Sequence, residues 1–225
     1  MKNRYLGPFV QKHFFAGVFF AFIFFPNVAF AIPIFISEIH YDNAGADTGE
    51  AVEIAGPAGS DLSAWQLVLY NGSGGLVYNT TALSGIIPNQ QSGFGTLFYP
   101  VVGIQNGVPD GLALIDAGSA VVQFLSYEGS FIAGDGPAIG MTSTSIGVLE
   151  SSATPIGHSL QLGGSGAVYA DFSWQVAGPE TFGSVNANQR FQVASVPEAD
   201  ALVLMGLGLF SFGLIQVFRQ GSDPA

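Results

Sequence analysis

Cysteine is absent from all 225 residues, which excludes disulfides, thiolate zinc sites, iron–sulfur clusters and a thiol nucleophile together. Basic residues are almost as scarce, with five lysines and arginines against sixteen acids. Lys2, Arg4 and Lys12 fall in the first segment and Arg219 lies near the end, which leaves Arg190 alone among thirteen acids in the body, 32–197. A body of that sign repels phosphate polyanions and holds no basic array whose counterion release could drive binding, so nucleic acid is not an expected partner. Histidine is limited to His13, His40 and His158. No Gly-x-Ser-x-Gly elbow, His-Glu-x-x-His helix, phosphate loop or dinucleotide fingerprint occurs. His158 precedes Ser159, but adjacent strand residues point to opposite faces and do not make a triad pair.

What is present is apolar sequence, and it is distributed in a telling way. Lys2, Arg4 and Lys12 precede the run from Phe14 to Phe25, which is followed by Pro26 and by Ala29-Phe30-Ala31. A basic start, a short greasy core and a small-x-small site are the order of a secretory signal, with cleavage after Ala31 by a signal peptidase. The run is too short to be a stable span, which takes about 20 apolar residues. At the other end, Ala201 to Phe218 is apolar or small except for Ser211 and Gln216, and Arg219 follows. Eighteen helical residues rise about 27 Å, enough to cross the hydrocarbon layer and anchor the chain in a membrane. The expected organisation is a signal peptide over 1–31, a folded domain over 32–194 and a sorting signal with anchor over 195–225.

Between the ends, apolar residues alternate or form short runs bounded by Gly, Asn, Asp and Pro, the pattern of strands. Strands are expected at Ile34–Ile39, Ala51–Ala55, Trp65–Tyr70, Gly95–Tyr99, Leu112–Asp116, Val121–Ser126, Ser159–Leu162 and Asp171–Val176. Turns are expected at 42–45, 71–75, 106–111 and 163–166. Many short strands without intervening helices predict an all-β antiparallel sandwich or barrel. Trp65 and Trp174 lie in strand runs and are expected to fill its core, the sharper alternative being a ligand-stacking platform.

Two groups of polar residues merit chemistry. Asp42, Asn43, Asp47 and Glu50 gather hard oxygen ligands in a short loop, which suits calcium although the spacing is not that of an EF-hand; an Asx-type turn is the alternative. Glycosidases need two carboxylates either about 5–5.5 Å or about 6.5–9.5 Å apart. Glu50 and Glu53 are sent to opposite faces of a regular strand, whereas Glu38 could approach either from a neighbour.

Ser195-Val196-Pro197-Glu198-Ala199-Asp200, the glycine-bearing helix from Leu204 to Leu209 and Arg219 resemble a PEP-CTERM sorting signal of Gram-negative bacteria. Ala199 stands where that signal has its second proline, and a lone Arg219 where it has several arginines. The resemblance implies processing by an exosortase near Pro197 and Glu198. In the body, Ile36-Ser37-Glu38-Ile39-His40-Tyr41, Gly49-Glu50-Ala51-Val52-Glu53-Ile54 and Asp61-Leu62-Ser63-Ala64-Trp65-Gln66-Leu67 resemble the lamin-tail domain. Ser159-Leu160-Gln161-Leu162, Phe172-Ser173-Trp174 and Thr181-Phe182-Gly183-Ser184-Val185-Asn186 resemble its closing strands and turn. Ala64, Ala51-Val52 and Phe182 depart from its usual pattern. This resemblance implies an immunoglobulin-like antiparallel β-sandwich, and says little of activity.

The functional expectation is an exported, non-enzymatic structural or binding module without cofactor unless calcium binds. It would be anchored in the inner membrane facing the periplasm, or sorted to the cell surface or the extracellular space. The resemblance to the PEP-CTERM signal implies exopolysaccharide or biofilm matrix, or a surface protein, as partner. The competing expectation is an acidic-residue hydrolase of extracellular polysaccharide.

Overall fold

A computed structural model of the chain describes residues 34–192. The leader with Ala31, and the tail with Pro197, Glu198 and the apolar stretch, lie outside the described residues. Within them the chain forms eleven strands and one 3-10 turn, Tyr169–Asp171. The first five strands are β1 (Phe35–His40), β2 (Ala51–Pro57), β3 (Gln66–Asn71), β4 (Leu76–Ala82) and β5 (Phe94–Pro100). The remainder are β6 (Asp110–Ile115), β7 (Val121–Tyr127), β8 (Thr144–Ser145), β9 (His158–Gly166), β10 (Phe172–Pro179) and β11 (Gln189–Phe191). Among the described residues no helix is long and apolar enough to cross a membrane.

The strands make two sheets, ordered β10-β9-β1-β2-β5 with β11 added to β9, and β4-β3-β6-β7-β8. Every pairing is antiparallel except β9 with β11 and β7 with β8. One apolar core joins the two sheets. The first contributes Ile36, Ile39, Val52, Ile54 and Leu160, and the second Leu67, Leu69, Leu112, Leu114, Leu125 and Tyr127. The result is an all-β, sandwich-like body, as the alternation of apolar residues predicts.

A β-bulge in β1 decides which side chains meet. Its register against β2 shifts between Ile36 and Glu38, and one extra residue inverts the inward and outward positions beyond it. Ile36 and Ile39, three apart, therefore both enter the core. Glu38 is brought opposite Glu53 of β2, on the other face of the sheet.

Irregular segments cover the outer faces of both sheets, so several strands are buried on two sides. The segment 131–138 lays Phe131, Ala133 and Ala138 over Val68, Tyr70, Ala113 and Phe124, and the Tyr70 hydroxyl accepts the Ala138 N–H at 3.0 Å. Double coverage is why Leu67-Val68-Leu69-Tyr70 and Leu112-Ala113-Leu114-Ile115 read as unbroken apolar runs. Phe35 and Phe191, at the two ends of the described chain, share an aromatic cluster with Phe172. The chain therefore enters and leaves the domain at the same end.

Three expectations need correction. Gly163-Gly164-Ser165-Gly166, expected as a turn, continues β9, because β10 and β11 pair with it on either edge. A Cβ on Gly166 would lie 2.2 Å from the Asp171 side chain, and the missing side chain admits that neighbour. The strand β4 was not expected: its Asn-Thr-Thr stretch is polar because it forms a half-exposed sheet edge. Trp65 and Trp174 do not fill the core. Both are half-buried at its margin, Trp65 precedes β3, and Trp174 Nε1 donates to the Tyr169 hydroxyl at 3.0 Å. The most deeply buried aromatic side chains are instead Phe35, Tyr41, Tyr70 and Tyr127, each at most 1% exposed.

Candidate functional site

Glu38 and Glu53, facing one another across β1 and β2, are both 0% exposed. Segment 180–188 runs over them and supplies donors. Glu38 Oε1 accepts from Ser159 Oγ at 2.5 Å and from the Thr181 N–H at 2.8 Å, and Oε2 accepts from Thr181 Oγ1 at 2.9 Å. Glu53 Oε1 accepts from Ser37 Oγ at 2.9 Å, and Oε2 accepts from the Gly183 N–H at 2.7 Å. Asn186 Nδ2 fastens the segment down by donating to the Ser37 and Leu162 carbonyls, both at 3.0 Å. Burial above all, then the Glu38 charge, pushes the Glu53 carboxyl up to about 8, against the pull of the Gly183 and Ser37 hydrogen bonds. Glu38 is raised by burial too, with its hydrogen bonds opposing. The carboxylate pair weighed as glycosidase machinery is thus formed, but it is sealed from substrate and its four oxygens all accept hydrogen bonds from the protein.

A second buried cluster forms where β1 ends. Glu150 Oε1 meets His40 Nδ1 at 2.9 Å, with both side chains at most 1% exposed. Glu150 Oε2 accepts the backbone N–H of Tyr41 at 2.6 Å and of Asp42 at 3.1 Å, while the Glu150 N–H donates to the Tyr41 hydroxyl at 2.8 Å. Tyr41 stacks on Tyr127 of the second sheet with ring centroids 3.8 Å apart. His40 Nε2 lies 2.9 Å from Asn43 Nδ2 and 3.1 Å from the Thr48 carbonyl oxygen, which also accepts from Asn43 Nδ2 at 2.8 Å. Burial alone would lower the His40 pKa; the hydrogen bond and charge of Glu150 outweigh it and raise the group. No motif announces Glu150, because its partners stand more than a hundred residues away in sequence.

The proposed calcium loop is only partly assembled. Partial burial and the adjoining Asp47 carboxylate raise Asp42. Asp47 accepts from the Asn43 N–H and from Asn106 Nδ2, each at 3.3 Å. Glu50 turns elsewhere, its Oε2 taking the Gly103 N–H at 2.6 Å, whereas Asn43 Oδ1 is buried without a hydrogen-bond partner. Among the described residues no group of three His, Cys, Asp or Glu is arranged to hold a metal ion. Millimolar calcium is accordingly expected to leave the thermal midpoint where chelator leaves it, since two crowded carboxylates lack the further oxygens a six- to eight-coordinate ion takes. A calcium-dependent rise in a paired melt would restore the site.

His158, the other histidine of the body, is half-buried at the start of β9, opposite Pro179. Comparison with known protein families, characterised proteins and solved structures finds no match to this chain.

Proposed function

We propose that this chain is an exported, non-enzymatic structural or binding module, held at a membrane or sorted to the surface by its C-terminal segment. The observation that carries the reading is the use of the chain's best catalytic candidates as framework: Glu38, Glu53 and His40 are buried and committed to hydrogen bonds that hold irregular segments on the sheet. The two-sheet architecture supports the finer assignment to a lamin-tail-like, immunoglobulin-like sandwich, which rests on the sequence resemblance. Entry and exit of the chain at one end, around Phe35 and Phe191, suit a tethered domain. A terminal anchor there would hold that end at the bilayer and present the loops 41–50 and 101–109 outward.

Polysaccharide of the cell's own matrix, or a surface protein, is the ligand class this reading favours. The test incubates the full-length protein, in detergent, with exopolysaccharide. Retention on the immobilised glycan without new reducing ends is the expected result, whereas release of reducing ends would replace the binding module by the acidic hydrolase. Export is checked separately by mass spectrometry of the processed chain, which is expected to begin after Ala31; an intact leader in a cytosolic protein would overturn that part.

A further inference from the structure

The sealed Glu38–Glu53 pair has an electrostatic problem that its surroundings do not solve. The elements packed on it bring no base to neutralise a second charge. From β1 come Glu38 itself and His40, already committed to Glu150; β2 brings Glu53 and β5 brings Thr96. From β9 come Ser159 and Gln161, both uncharged, with His158 in register with Pro179. The covering segment opens with Glu180, another acid, whose charge acts on Glu38. Arg190 is exposed on β11. The same segment contacts both carboxyls, through Thr181 for Glu38 and Gly183 for Glu53, so its seating depends on their ionisation.

We propose that segment 180–188 is a proton-controlled latch: closing over the Glu38–Glu53 pair takes up one proton, and the latch loosens as protons become scarce. Opening uncovers Ser37, Glu38, Glu53, Ser159 and Gln161 and frees the connection between β10 and β11. The closed form holds a proton that the open form, with solvated carboxylates, has lost, so the opening constant rises about tenfold per pH unit while this difference lasts. It levels off once the closed pair ionises as well.

Native-state hydrogen exchange on the full chain in detergent reads the latch directly. Protection of the Thr181 and Gly183 amides, corrected for intrinsic exchange, is expected to fall about tenfold per pH unit between about pH 5 and about pH 8. The strand amides of β3 and β6 remain better protected throughout, which separates latch opening from global unfolding. Glu53→Gln, neutral at every pH, abolishes the slope and keeps the segment closed. A carbon-13 titration of the wild-type Glu53 carboxyl supplies a readout independent of that variant, and it must show the group protonated across the sloping range. A flat wild-type profile, an unchanged slope in Glu53→Gln, or a Glu53 carboxyl titrating in the ordinary carboxylate range would each overturn the proposal.

Discussion

Replacing Glu150 by alanine is expected to cost the domain about 3–5 kcal/mol of folding stability, the range for removing one partner of a buried ion pair. Several losses combine there. His40 loses its carboxylate, the buried backbone N–H of Tyr41 loses its acceptor, and so does the half-buried N–H of Asp42. A buried donor without a partner is costlier than the net worth of the bond it made. The backbone N–H at position 150 still donates to the Tyr41 hydroxyl, so the loop before β9 keeps that one tie to the end of β1, where Tyr41 stacks on Tyr127 and connects the two sheets. For a domain of this size the loss corresponds to a drop in melting temperature on the order of 10 °C. The control is the double variant His40→Leu/Glu150→Met, which removes both charges and fills part of the space. It should lose less than Glu150→Ala, since the His40 imidazole is then not left buried without the partner of its Nδ1. Denaturant unfolding of the three proteins measures the difference, and a Glu150→Ala midpoint within error of the wild type would contradict the assignment.

The second large effect is a fall in stability as pH rises from about 5 to about 8. Glu53 titrates near 8 in the folded domain, up from an ordinary value of 4.5, and Glu38 is raised in the same direction. Between the two values the folded state binds more protons than the unfolded chain, so stability declines with pH, by about 1.4 kcal/mol per unit for one such group. The pair titrates as a unit, and one shared proton lost over that range amounts to roughly 4 kcal/mol at most. His40 adds to the same trend. Its folded pKa is raised, so its contribution is complete below the unfolded value and is lost as pH climbs through the folded one. Urea midpoints at a series of pH values should therefore decrease toward alkaline conditions, and Glu53→Gln should flatten the decline and exceed the wild type at pH near 8. Global repulsion among the surface acids acts on both proteins alike, so their difference isolates Glu53. A wild-type midpoint that stays constant or increases over this range would show that the buried pair does not govern stability.

The strands that bury apolar side chains were legible as strands, because a two-residue period and bounding Gly, Asn and Asp reflect local backbone geometry. Strands whose residues bury little were not. β4 is a polar edge, β8 has two residues and β11 three, and each exists because a neighbouring strand offers a ladder to pair with. Trp65 and Trp174 misled for a related reason: membership of an apolar run says that a side chain lies near the core, while depth depends on how the run ends against the other sheet.

By itself, the sequence determined the all-β class, the cysteine-free and strongly acidic body, the absence of recognisable catalytic motifs and the apolar segments at either end, since all of these are matters of composition and short-range spacing. Tertiary structure alone decided that Glu38 stands opposite Glu53 under segment 180–188, and that Glu150 closes on His40 and Tyr41. The physical reason is that a one-residue bulge in β1 changes which side chains share a face, and contacts across a hundred or more residues leave no periodic mark on the chain.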